Sequence, residues 1–179
     1  TVNAGPLIIG KTPVAPTGTF NQYKKGLKQI TELTEIYPGV DVKFTDDKAW
    51  RHKKIIIKEK PKDLKAHETL IFWEEYKLPP GSTVKDDVGT KLFGKTELKN
   101  KAVIIESANG DMFSISSALV FDSSESDLSV KDLAEIVNVD YSNETLSIGI
   151  ELDAAYLFEP NRKYPVTIDP SYIACRRND

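Results

Sequence analysis

Short runs of alternating apolar and polar residues, each closed by Gly, Pro, Asn or Asp, fill most of this chain and leave little room for helices. Val40, Val42 and Phe44 alternate with Asp41, Lys43 and Thr45, which is the period of a half-buried strand. Ile55, Ile56 and Ile57 lie between lysines and read as a central strand with charged ends. In ETLIFWEEYKL, Leu70, Phe72 and Glu74 fall on one face, with Ile71 and Trp73 on the other. Asn109-Gly110 separates two β-rich runs and predicts a hairpin, because both residues tolerate positive φ. Ser142-Asn143 predicts a second hairpin between LAEIVNVDY and ETLSIGIEL. Asp153 is placed to cap one helical turn over residues 154–157.

The expected fold is mainly β: an antiparallel β-sandwich or curled sheet of about eight or nine strands with one short N-terminal helix. That helix is placed over residues 21–34, where Tyr23, Leu27, Ile30 and Leu33 recur at helical spacing. Gly26 lies inside it at a cost of about 1 kcal/mol relative to Ala, and Pro38-Gly39 ends it. Residues 1–19, rich in Gly, Pro and Thr, form a linker or peripheral strand. Residues 20–171 make a single β-rich domain, and 172–179 begin a connection to a following domain. In KYPVTIDPS (163–171), Val166 and Ile168 alternate around Thr167. Pro165 lacks an N–H and so favours a strand start or a sheet edge; Asp169-Pro170 ends the strand.

With 179 residues, 40% hydrophobic and 28% charged, the chain can build a core without disulfides or metals. A net charge of −3 with interspersed signs carries no electrostatic footprint for nucleic acid. No apolar run approaches the length of a membrane span. The chain opens at Thr1 with no leader pattern, as expected of a mature or excised segment. Cys175 is the single cysteine, so no internal disulfide forms.

The residue types that carry chemistry elsewhere do not stand at catalytic or metal-ligand spacing in this sequence. His52 and His67 stand in lysine-rich sequence without further ligands at metal spacing. Glu74 and Glu75, adjacent on a strand, point to opposite faces and make a poor acid–base pair. The oxygen-rich stretch from Asp122 to Asp127 is the calcium candidate, although it departs from the D-x-[DN]-x-[DN]-G spacing. No nucleophile elbow, zincin, phosphate-loop or dinucleotide motif is present. Asn143-Glu144-Thr145 matches a glycosylation sequon within a turn. Trp50, Trp73 and Tyr76 are candidates for an aromatic sugar-stacking face, against the ordinary use of such residues in β cores.

The order of segments EIYPGVDVKF (35–44), IIIKEKP (55–61), NGDMFSISSALVFDS (109–123) and KYPVTIDPS (163–171) resembles a β-rich module of large secreted or wall-associated prokaryotic proteins. There it precedes DNRLRE-type domains and RHS/YD-repeat regions. Tyr37, Pro38, Val40, Asp41, Tyr164, Pro165, Val166, Ile168, Asp169 and Pro170 carry the resemblance. It departs at residues 21–34, which have no counterpart, and at Ser117-Ala118, where a proline often stands. The resemblance implies an extracellular or cell-envelope location, no catalytic residue and no cofactor. The expected function is therefore a non-catalytic structural or adhesion/assembly module of a larger surface protein. Its partners would be neighbouring domains of the same polypeptide and cell-envelope glycan or protein. The alternatives are a carbohydrate-binding module using Trp50, Trp73 or Tyr76, and a hydrolase with carboxylates gathered by the fold.

Overall fold

In the computed structural model, which describes residues 2–47, 50–124 and 126–175, the chain is mainly β and its sheets are antiparallel. The strands in chain order are β1 (Val2–Ile9), β2 (Thr12–Val14), β3 (Thr19–Lys25), β4 (Lys28–Tyr37), β5 (Val40–Asp47), β6 (Trp50–Ile57), β7 (Thr69–Lys77), β8 (Thr83–Asp86) and β9 (Gly94–Lys99). There follow β10 (Val103–Glu106), β11 (Met112–Ile115), β12 (Leu119–Phe121), β13 (Lys131–Asp132), β14 (Ala134–Asp140) and β15 (Thr145–Asp153). The helix α1 (Ala154–Phe158) precedes β16 (Val166–Asp169) and β17 (Ser171–Cys175). The strands outnumber the expected eight or nine because the expected linker over 1–19 and the expected helix over 21–34 are strands, and pieces as short as β2 and β13 are too brief to show a period.

Six strands form one sheet in the order β2-β1-β7-β15-β14-β9. The other sheet, eleven-stranded, runs β13-β12-β16-β6-β17-β11-β10-β8, with β5, β4 and β3 added in turn along the other edge of β6. Their inner faces share one hydrophobic core. The smaller sheet supplies Leu7, Leu70, Phe72, Val137, Ile148 and Ile150; the larger supplies Ile36, Val40, Val42, Ile55, Ile57 and Ile168. Each set follows the strand period of two, as the alternation at Val40, Val42 and Phe44 foretold.

The expected helix over 21–34 is instead the β3–β4 hairpin. Thr19 to Lys25 pair with Thr34 to Lys28, and Gly26-Leu27 make the turn. Gly26 has φ +63° while Leu27 is not in the left-handed region, the signature of a type II′ turn with Gly at its first central position. The helical spacing was coincidental. Tyr23 faces Ile30 and Phe20 faces Leu33 across the ladder, whereas Leu27 caps the turn. Ile30, Thr31, Thr34 and Ile36 are β-branched and favour the pleat over the helix.

The stretch KYPVTIDPS lies in the interior of its sheet, not at an edge. β16 pairs with β12 on one side and β6 on the other, and β17 pairs with β6 and β11. Val166↔Ile57 and Ser171↔His52 keep one register along β6. The two segments are therefore one strand interrupted at Pro170, which has no N–H to donate, and Pro170 falls opposite Lys53. Pro165, preceded by a cis peptide bond, stands just ahead of the strand, where a missing donor costs least. The boundary expected after residue 171 falls inside β17, and residues 176–179 lie outside the described residues. In the 1–19 segment, β1 is paired on both edges, with β2 and β7.

Both predicted hairpins are present, β10–β11 around Asn109-Gly110 and β14–β15 around Ser142-Asn143. Asp153 caps α1, its carboxylate accepting from the Ala155 N–H at 2.9 Å.

Candidate functional site

Period-two alternation places Lys53 on the same face of β6 as Ile55 and Ile57, and Glu74 on the same face of β7 as Phe72 and Tyr76. Since both faces turn inward, the two charged groups meet between the sheets. Lys53 is 3% exposed and Glu74 7%. Lys53 Nζ abuts Glu74 Oε1, and the Tyr76 hydroxyl donates to Glu74 Oε2 at 2.5 Å. The surroundings are apolar: Ile36, Val42, Phe44, Ile55 and Phe72 line a cavity of about 80 Å3 that Lys53 and Glu74 also border. Burial pushes the Lys53 amine down to about 7, because an ammonium loses its hydration there. Beside the cavity, Tyr37 donates from its hydroxyl to the Gly5 carbonyl at 2.5 Å, linking β4 to the bulge in β1 between Ala4 and Leu7. Burial pushes the Tyr37 hydroxyl up to about 12.

A second buried group lies where α1 meets the loop after β12. The Arg162 guanidinium donates to Asp122 Oδ2 at 3.0 Å and to the Tyr156 carbonyl at 2.8 Å, pairs with Glu159, and stacks 3.5 Å above the Tyr156 ring. Asp122 also accepts from the Ser124 N–H at 2.9 Å and the Lys163 N–H at 3.2 Å. The Ser124 hydroxyl, which also donates to Asp122, together with the Ser124 and Lys163 N–H groups and Arg162, holds its carboxyl well below the usual carboxylate range in spite of burial. Both oxygens of this calcium candidate are thus occupied by protein donors, and Asp127 is an exposed residue opening a 3-10 turn. Among the described residues, no group of three His, Cys, Asp or Glu is placed to hold a metal ion.

Glu135 is the third buried carboxyl, 1% exposed on β14. Its Oε1 accepts from the Ala118 N–H at 3.0 Å, while Oε2 has no partner. Burial pushes the group up to about 7. A proline at 118 would lack the N–H that Glu135 takes.

The three aromatic candidates do not form one face. Tyr76 points into the core, on the side of β7 opposite Trp73. Trp73 lies on the outer face of the smaller sheet, its ring spread across Gly149, where an added Cβ would come within 3.0 Å of the indole. Trp50 opens β6 in the other sheet, and its side chain is outside the described residues. His52 and His67 are both exposed. Glu75 is exposed while Glu74 is buried, so that acidic pair does point to opposite faces.

Lys53 and Glu135 went unrecognised in the sequence, although a signal existed. Each shares strand parity with residues that read as core, Lys53 with Ile55 and Ile57, Glu135 with Val137 and Val139.

The fold and its buried polar groups define an antiparallel, two-sheet β protein whose interior charges join one sheet or loop to another. Comparison with family models, curated proteins and solved structures found no match. No helix among the described residues is long and apolar enough to cross a membrane.

Proposed function

We propose that this chain is a non-catalytic structural or adhesion/assembly module of a larger secreted or cell-surface protein, in series with neighbouring domains. The observation that carries this reading is where the organised polar groups are spent. Lys53–Glu74, Tyr37–Gly5, Glu135–Ala118 and Arg162–Asp122 each fasten one part of the fold to another, whereas an enzyme turns such groups toward a substrate cleft. The resemblance to secreted prokaryotic modules supports the same reading and the extracellular setting.

A second reading, carbohydrate binding, is favoured by Trp73 alone, whose partly exposed ring packs over Gly149 on an outer sheet face. One experiment addresses both: the folded protein is assayed on a broad hydrolase panel and a glycan array. No turnover and no glycan binding is the expected result. Turnover that a point substitution abolishes would overturn the structural reading. Glycan binding lost in Trp73→Ala, with folding intact, would replace it by the second.

A further inference from the structure

We propose that Lys53 and Glu74 are joined by an intramolecular amide, formed spontaneously once the two sheets close on each other. The amine nitrogen abuts a carboxyl oxygen of Glu74, the other carboxyl oxygen accepts the Tyr76 hydroxyl, and the lining is apolar. These are the components an acyl condensation requires: a positioned nucleophile, a polarised carbonyl and exclusion of bulk water.

The step balances without any co-reactant. Proton transfer within the pair gives the neutral amine and the carboxylic acid, the form that burial favours over two opposed charges. Lys53 Nζ attacks Glu74 Cδ while the Tyr76 hydroxyl stabilises the negative charge developing on Oε2. The C–Oε1 bond breaks, and Oε1 leaves as water carrying its own proton and one from the amine. The product is a neutral secondary amide whose carbonyl keeps the Tyr76 hydrogen bond. Burial of the Lys53 amine, held near 7, supplies the free-base nucleophile at neutral pH.

The position gives the bond a structural role. Glu74 pairs along the ladder with Ala4 of β1, while Lys53 lies next to His52, which pairs with Ser171 of β17. A covalent link here fastens the strand that holds β1 to the strand that holds β17. Those are the first and last strands among the described residues, and they sit in different sheets. The inference does not depend on the proposed function, since an amide would be equally detectable in a binding module or an enzyme.

Intact mass spectrometry of the denatured full chain tests it directly. The expected mass is one water below that of the sequence, with a proteolytic digest yielding a branched peptide that joins the segments around Lys53 and Glu74. Lys53→Arg should restore the full sequence mass, and Tyr76→Phe should give a mixture that converts more slowly. A wild-type chain at its full sequence mass, or a water lost at any other pair of residues, overturns the inference. The wild-type measurement decides the matter even where a variant fails to fold.

Discussion

At the scale of single residues, Glu135 shows how an interior carboxyl couples stability to pH. Its folded-state value, about 7, lies above the 4.5 of an ordinary glutamate. The folded chain therefore holds a proton that the unfolded chain releases, and stability falls as pH rises from about 4.5 through 7. Glu135→Gln retains an acceptor for the Ala118 N–H and cannot ionise. It should gain about 1–3 kcal/mol over wild type at pH 8 and little at pH 4. Urea unfolding of both proteins across that range checks the prediction, and a pH-independent difference would show that Glu135 stays charged. The position was legible by parity from Val137 and Val139. Its pairing with Ala118 was not, because that contact joins two sheets and no local pattern records it.

At the scale of elements, local chemistry was legible wherever a turn or cap carried its own signal. Asn109-Gly110 and Asp153 did so, and the β10–β11 hairpin and α1 stand where those residues placed them. Gly26 carried such a signal too, but its reading depends on the frame: a flaw in a helix, or the pivot of a type II′ turn. The β3–β4 hairpin decides for the turn, and it leaves every residue of β3 exposed, so no buried stripe was available to correct the helical spacing. The two frames predict opposite signs for one substitution. In a helix, Gly26→Ala would stabilise by about 1 kcal/mol. At φ +63°, it should destabilise the hairpin by about 1–2 kcal/mol. Amide hydrogen exchange of the β3–β4 ladder, from Lys25↔Lys28 to Thr19↔Thr34, should therefore speed up by about tenfold. Slower exchange would argue for a helical state of this segment.

At the scale of the whole molecule, the two sheets share an apolar core but are registered by a few polar contacts between them. Hydrophobic burial is non-directional, so it does not by itself choose one sliding position of sheet on sheet. Tyr37 on the Gly5 carbonyl, Glu135 on the Ala118 N–H and Tyr141 bridging the Val84 N–H and the Leu92 carbonyl each allow one alignment. None was legible as a pair, because the partners are distant in sequence and the motifs around them are ordinary strand and turn. The Arg162–Asp122 pair offers the sharpest measure of such a contact. Arg162 follows α1, which continues the smaller sheet from β15, while Asp122 follows β12 of the larger one. Both side chains are nearly inaccessible. Arg162→Met should leave the Asp122 carboxylate buried without its countercharge and cost about 3–5 kcal/mol in urea unfolding. If the pair serves alignment rather than net attraction, the double variant Arg162→Met/Asp122→Leu should recover most of that loss. It should also lose near-ultraviolet circular dichroism or resolved side-chain resonances, the marks of a less singular packing. A double variant as stable and as well ordered as wild type would assign the alignment of the sheets to the apolar core alone.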